Sequence, residues 1–132
     1  MTGPKEVLIV VRRGDELLVV HRSPAEGAFW HTVSGTVEPG EEPRATVLRE
    51  LEEETELVFD GELVEIGAFE YVRESWEAQP SLRVPVAAYL VDVAPGWEPV
   101  LNEEHDEYRW CTRDEAVALL YWPEPRDIVA SL

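Results

Sequence analysis

Residues 35–57 read GTVEPGEEPRATVLRELEEETEL, and the second half of that stretch admits few local structures. Pro43 suits the first turn of a helix, and the apolar spacing that follows carries the helix to about Thr55. At about 100° per residue, Val47, Leu48, Leu51 and Thr55 share one arc of that helix, and Glu50, Glu53 and Glu54 share another. The first arc is expected to pack and the second to be purely anionic. Like charges three and four residues apart each destabilise a helix by a few tenths of a kcal/mol. These lie in the C-terminal half, where the macrodipole also disfavours negative charge. A local violation of this kind marks a site more often than a scaffold.

Charge sharpens that reading. The 132 residues carry 28 acidic and 11 basic side chains, a net charge of −17. Such a surface repels nucleic acid polymers and anionic membranes, so neither is expected as a partner. An anionic small-molecule substrate would need imported positive charge, and divalent cations held by clustered carboxylates are the natural source. Cys111 is the only cysteine and is expected to act as a small buried hydrophobe in a reducing cytoplasm. Residues 1–132 are expected to form one domain, cytoplasmic and unexported, without a signal peptide or membrane span, as a monomer or homodimer.

Along the chain, Val7 to Val11 and Leu17 to Val20 read as a β-hairpin about the polar turn from Arg12 to Glu16. Ser23 to Ala28 reads as loop, and Thr32-Val33 as a short extended run. Beyond the helix, the segment from Gly61 through Tyr71 has strand composition with irregular alternation, which predicts one bent or bulged strand. A polar loop from Glu74 to Pro80 separates it from the long run Leu82 to Val93, and the two are expected to pair antiparallel. Tyr108 to Trp110 is a short strand, and Thr112 with Glu115 is a capping box for a helix through about Leu120. Pro123 and Pro125 should stop that helix, leaving Arg126 to Leu132 as a final short one. The order predicts an α/β (α+β) fold, a mixed sheet with helices on its faces.

The opening stretch resembles the box of the Nudix hydrolases, G-x5-E-x7-R-E-U-x-E-E-x-G-U with U a bulky aliphatic. Gly35, Glu41, Arg49, Glu50, Leu51, Glu53, Glu54 and Leu57 fill eight of its nine defined positions without a gap. Glu56 stands where the family has its second glycine, a helix C-cap; glutamate there costs about 1 kcal/mol or forces another helix ending. The resemblance implies a Nudix-like α/β/α sandwich with a mixed central sheet. It also implies hydrolysis of a diphosphate linkage by metal-activated water.

The resemblance assigns roles by position. Glu41 would pair with Arg49 and brace the loop on the helix, and Gly35 would let the backbone approach metal and phosphates. Glu50, Glu53 and Glu54 would be oxygen ligands for Mg2+ or Mn2+, Glu50 and Glu54 directly, with the Ser34 carbonyl as a further ligand. The base is Glu53 or Glu104; Glu53 is favoured, with Glu104 as an additional ligand, and Glu53, Glu54 and Arg49 form the expected catalytic group. Arg22 could reach a phosphate or pair with a surface acid, and Glu103, Glu104 and His105 could be an exposed polar loop or, for His105, a substrate contact. Phe29 and Trp30 could stack on a flat heterocycle or simply pack, and Trp76 could belong to a lid at 74–80. Trp97, Trp110 and Trp122 read as core or loop anchors.

Short stretches at 29–38 and 104–110 are similar to the dihydroneopterin triphosphate pyrophosphohydrolase branch. The other readings are a house-cleaning pyrophosphatase for ordinary or oxidised nucleoside triphosphates, a diadenosine polyphosphate hydrolase and a non-catalytic nucleotide-binding module. All take a small phosphorylated molecule.

Overall fold

Five consecutive apolar residues, Val7 to Val11, are each no more than 2% exposed, so the strand that carries them is covered on both faces. That strand, β1 (Glu6–Arg13), is the centre of the molecule. The computed structural model describes residues 3–73 and 82–132. Within them β1 is followed by β2 (Glu16–Arg22), a 3-10 turn (Pro24–Glu26), β3 (Trp30–His31) and β4 (Val33–Thr36). Then come α1 (Pro43–Thr55), β5 (Val64–Arg73), β6 (Leu82–Asp92), β7 (His105–Cys111), α2 (Arg113–Leu119) and α3 (Pro123–Ala130).

The side chains of β1 alternate between two cores. Leu8 and Val10 join Leu17, Val19, Val86 and Ala88 beneath Ala116, Leu120 and Val129 of the C-terminal helical segment. Val7, Ile9 and Val11 join Val20, Val33, Ala87 and Tyr89 beneath Val47 and Leu51 of α1. Period-two alternation in a strand buried on both faces therefore produces an α/β/α arrangement of three layers. The sheet is mixed: β1 runs parallel to β6 from Glu6↔Val86 to Arg12↔Asp92, and β5 and β6 pair antiparallel.

The other edge of β1 is shared. Gly14 takes φ +60° and turns the chain, so β1 meets β2 at Arg12↔Leu17 and Arg13↔Glu16. Toward its start β1 pairs instead with β4, from Glu6↔Thr36 to Ile9↔Val33. β2 leaves β1 to pair with β3 and β7. The strand that carries Ser34-Gly35-Thr36 is thereby hydrogen-bonded directly to the buried centre.

Three local expectations change. The anionic arc of α1 is divided: Glu50 and Glu54 are buried with Thr46, Val47, Leu51 and Thr55, whereas Leu48 is 40% exposed. On the helical wheel Glu50 and Glu54 flank Val47, so a face centred on Val47 buries them and turns Leu48 outward. The last helix begins at Pro123, because proline in a first helical turn lacks only an N–H that has no intrahelical partner anyway. The strand near the C-terminus begins at His105, drawn out by pairing with the end of β2.

Two local features follow the sequence pattern. The β5–β6 register shifts between Glu65 and Gly67, a bulge of the kind predicted by irregular alternation. Thr112 accepts from the Glu115 amide at 3.2 Å and the Thr112 amide donates to Glu115 Oε1 at 2.8 Å, completing the capping box of α2.

α1 ends at the position where glutamate replaces glycine. Glu56 itself adopts the left-handed conformation, φ 62° and ψ 21°; its amide donates to the Glu52 carbonyl at 3.0 Å and the Leu57 amide to the Leu51 carbonyl at 3.3 Å. The helix thus keeps its ending and accepts the steric cost of a Cβ in that region. The E56G variant should gain about 1 kcal/mol of stability without change in fold, measured as a shift in urea midpoint at unchanged slope.

Candidate functional site

Arg49 organises the residues around the box. Its Nε and Nη2 donate to the two carboxylate oxygens of Glu41 at 2.9 and 3.0 Å, a bidentate pair. Nη2 also reaches the Thr36 carbonyl at 2.9 Å and lies 3.3 Å from Glu38. Nη1 donates to Glu50 Oε1 at 2.6 Å and approaches Glu53 Oε2 at 3.5 Å. The hydrogen bonds from Arg49, helped by Thr46 and the Glu38 amide, pull the Glu41 carboxyl down to about 2. The hydrogen-bonded Glu41 carboxylate first, and then the charges of Glu50 and Glu38, push the Arg49 guanidinium further into its charged range.

Gly35 is required by packing. A Cβ on Gly35 would collide with Cγ and Cδ of Glu50, so the absent side chain is the space in which Glu50 lies against β4. Glu50 is 8% exposed and Glu54, one turn later, is 2% exposed. Burial first, and then the neighbouring carboxylates Glu50 and Glu104, hold the Glu54 carboxyl well above the usual carboxylate range. Its Oε1 has no hydrogen-bond partner and lies 3.7 Å from Nδ1 of buried His105. Burial also drives His105 down to about 4 and His31 to about 3, with Arg22 adding to both shifts, so both rings are neutral near pH 7.

A pocket of about 720 Å³ opens over this assembly. Its wall includes Ser34, Gly35 and Thr36 of β4, Arg49 and Glu50 of α1, and Arg22, His31 and Glu104. Phe29, Phe69, Tyr71, Val86, Trp122 and Pro125 line it as well, with the charged Glu6, Arg73 and Glu124 among them. Phe29 lies 5.9 Å from Trp122 and 5.6 Å from Tyr121, and the Arg22 guanidinium sits 5.7 Å from the Phe29 ring. Glu104 is held from three sides: its carbonyl accepts from the Ser23 amide at 2.9 Å, its amide donates to Asn102 Oδ1 at 3.0 Å, and Asn102 Nδ2 donates to its carboxylate at 3.2 Å. Asn102 Nδ2 also reaches the Glu53 carbonyl at 3.1 Å, tying this loop to the end of α1.

Of the candidates from sequence, the pocket wall brings together Arg22, Phe29, Ser34, Gly35, Arg49, Glu50 and Glu104. Glu41 stands behind Arg49, and Glu53, 53% exposed in its side chain, turns to solvent outside the wall. Two residues lie elsewhere than a substrate contact would require. Trp30 packs against the core on the α2–α3 side, edge-on to His21 and beneath Arg109 at 4.8 Å, and His105 is enclosed, with 1% of its side chain exposed. Trp76 and the 74–80 loop lie outside the described residues.

Sequence reasoning gave no site role to Phe69, Tyr71, His31 and Asn102, and it read Trp122, which lines the pocket, as a core or loop anchor. Phe69 and Tyr71 alternate on one face of β5, which is a readable signal. Asn102, two residues before Glu104, carries the local pattern of an Asx turn. Nothing local marks Trp122 or His31.

A divalent cation fits the donor set. Among the described residues no three His, Cys, Asp or Glu side chains converge tightly enough to enclose an ion unaided. Mg2+, however, is commonly held by one or two carboxylates with waters and substrate phosphates. Glu50 and Glu54 are such a pair: Arg49 compensates Glu50, and a bound cation would compensate Glu54, whose Oε1 is buried without a partner, when both are charged.

Comparison with known proteins decides the family: the NUDIX domain model matches residues 3–132. The chain belongs to the Nudix family. It is a Nudix hydrolase, an enzyme acting on phosphoric anhydrides. A dihydroneopterin triphosphate diphosphatase of Haemophilus influenzae is 30% identical over 126 residues, covering 87% of this Nudix chain and 78% of its own. An octanoyltransferase of Myxococcus xanthus is 34% identical over 125 residues, which are 93% of this chain; the chain spans only 34% of that protein. Among solved structures, the dihydroneopterin triphosphate pyrophosphohydrolase of E. coli superposes with a TM-score of 0.80 at 22% identity, covering 96% of this chain and 92% of its own. A C. elegans Ap4A hydrolase gives 0.75 at 21%, covering 97% and 93%. Family members generally need a divalent metal, in keeping with the donor set of this Nudix site.

The Glu54 environment sets a pH dependence. An unfolded carboxyl ionises near its ordinary 4.5, whereas the folded one keeps its proton to higher pH. Above 4.5 the folded state binds more protons, so stability falls as pH rises, by up to about 1.4 kcal/mol per pH unit. In EDTA, E54Q should therefore gain stability relative to wild type between pH 5 and about pH 8. Melting temperatures of both proteins across that range test it; a constant difference would refute it.

Proposed function

We propose that the chain is a divalent-metal-dependent pyrophosphohydrolase that cleaves a diphosphate linkage in a nucleoside-triphosphate-like substrate, with dihydroneopterin triphosphate the foremost candidate. The observation that carries this reading is a single pocket lined both by the carboxylate, glycine and arginine of the box and by aromatic rings. A triphosphate joined to a flat heterocycle has the matching chemistry. The names of the Haemophilus influenzae and E. coli relatives support the pterin.

Glu50 and Glu54 would hold Mg2+ or Mn2+, with the Ser34 carbonyl and Glu104 as further oxygen donors. When bound, the ion supplies Lewis acidity to the phosphoryl group and lowers the pKa of the attacking water. Arg49, locked by Glu41, keeps Glu50 turned toward β4 through its 2.6 Å bond and leaves one Glu50 oxygen unclaimed by the guanidinium. Glu53 is joined to Arg49 only at 3.5 Å and is free to rotate; it would accept the proton of the attacking water. Arg22 would face the phosphate chain, its guanidinium already held at the pocket by the Glu26 carbonyl at 3.3 Å. Phe29 and Trp122 would flank the heterocycle.

With Mg2+ present, pyrophosphate release should be at least about tenfold faster, as kcat/KM, from dihydroneopterin triphosphate than from deoxynucleoside triphosphates or diadenosine polyphosphates. A flat profile makes the enzyme a generalist, and preference for deoxynucleotides or for the dinucleotide assigns it to those reactions instead. E53Q should lower kcat by about 10² to 10⁴ with KM little changed. Equal inertness of wild type and an E53Q/E54Q double variant on every substrate, with nucleotide still bound, would mark a binding module.

A further inference from the structure

Among the described residues, the buried side-chain polar atoms left without a hydrogen-bond partner belong to three residues: His31 Nδ1, Glu54 Oε1 and both ring nitrogens of His105. An unpartnered buried polar group costs about 1–3 kcal/mol, so folded chains rarely keep several without a reason. Two of these atoms face one another. His105 Nδ1 stands 3.7 Å from Glu54 Oε1, beyond hydrogen-bond distance but within a rotamer adjustment of it.

The backbone under His105 is fixed. It is paired with Arg22 where the β2–β7 register shifts, and the preceding carbonyl of Glu104 accepts from Ser23. The ring is enclosed in protein and cannot reach substrate, so its nitrogens can serve only an interior group. A carboxylate that binds a cation through one oxygen leaves the other in need of a donor. Without that donor it rotates and holds the ion less well.

We infer that His105 is the positioning residue for Glu54: its Nδ1–H donates to Glu54 Oε1 in the metal-bound protein and leaves the second carboxylate oxygen for the ion. The inference rests on Glu54 being a metal ligand. It assigns the histidine beside Glu104 to the support of α1 and not to substrate. Asparagine can offer an N–H where Nδ1 stands, glutamine offers one where Nε2 stands, and leucine offers none.

The test is Mn2+ affinity of the full chain, read from the electron paramagnetic resonance signal of free Mn2+, alongside the melting temperature in EDTA. H105L should weaken Mn2+ binding by about tenfold or more while melting no lower than wild type in EDTA. H105N should return affinity to within about threefold of wild type, and H105Q should behave as H105L. H105L on an E54Q background should cost less than about twofold more than E54Q alone. Mn2+ binding by H105L within about threefold of wild type would overturn the inference, as would restoration by glutamine but not asparagine. If H105L fails to fold, the asparagine and glutamine variants decide. Unchanged Mn2+ affinity in E54Q would remove the metal reading of Glu54 itself. Weakened E54Q with unaffected H105L would remove only the role of His105.

Discussion

The site depends on one guanidinium. Without Arg49, Glu38, Glu41, Glu50 and Glu53 would face one another across a chain already carrying 17 excess negative charges. With it, each has a positive partner, and the Thr36 carbonyl is drawn into the same network. The planar fork of arginine is needed for this, because it satisfies both oxygens of Glu41 while keeping a nitrogen for Glu50. The pairs involving exposed carboxylates contribute little singly. Their value lies in geometry: they join the loop after β4 to α1 and leave Glu54 as the acid that the network does not neutralise.

That partition explains how an acidic protein can process an acidic substrate. Protein charge is compensated locally by Arg49, and under the proposed function substrate charge would be left to a cation and to Arg22. An overall field of this sign slows the approach of a triphosphate at low salt, and the penalty shrinks as ions screen it. The pocket therefore relies on short-range contacts. The aromatic residues in its wall would add binding that does not depend on charge.

The fold was legible where side chains must be buried whatever their neighbours. Val7 to Val11 declared a strand, and the box declared α1, because apolar runs and helical spacing are local properties. The face of α1 was not legible in full, since a wheel assigns Leu48 and Glu50 by polarity. The structure buries Glu50 and exposes Leu48 because the groove beside Gly35 can receive the longer polar side chain. His105 was misread for a related reason: polar neighbours at 102–107 suggest a surface loop, but pairing between β2 and β7 encloses the ring. Trp30 and Trp122 show the same limit from the other side. Each follows another aromatic residue, and only tertiary packing decides that the first packs against the core while the second lines the pocket.

The contact between Gly35 and Glu50 has a further effect on assembly. Strand β4 pairs with β1 through short side chains, and the ladder alone would tolerate a slip of one residue poorly but not prohibitively. Such a slip would set Ser34 or Thr36 beneath Glu50, where a Cβ has no room. Glu50 can keep its place against β4 only when the one residue lacking a side chain is opposite it, so the missing atom acts as a register key. A strand paired out of step would force the Glu50 side chain from that place. The groove that seats the Glu50 carboxylate thus also disfavours a misaligned strand.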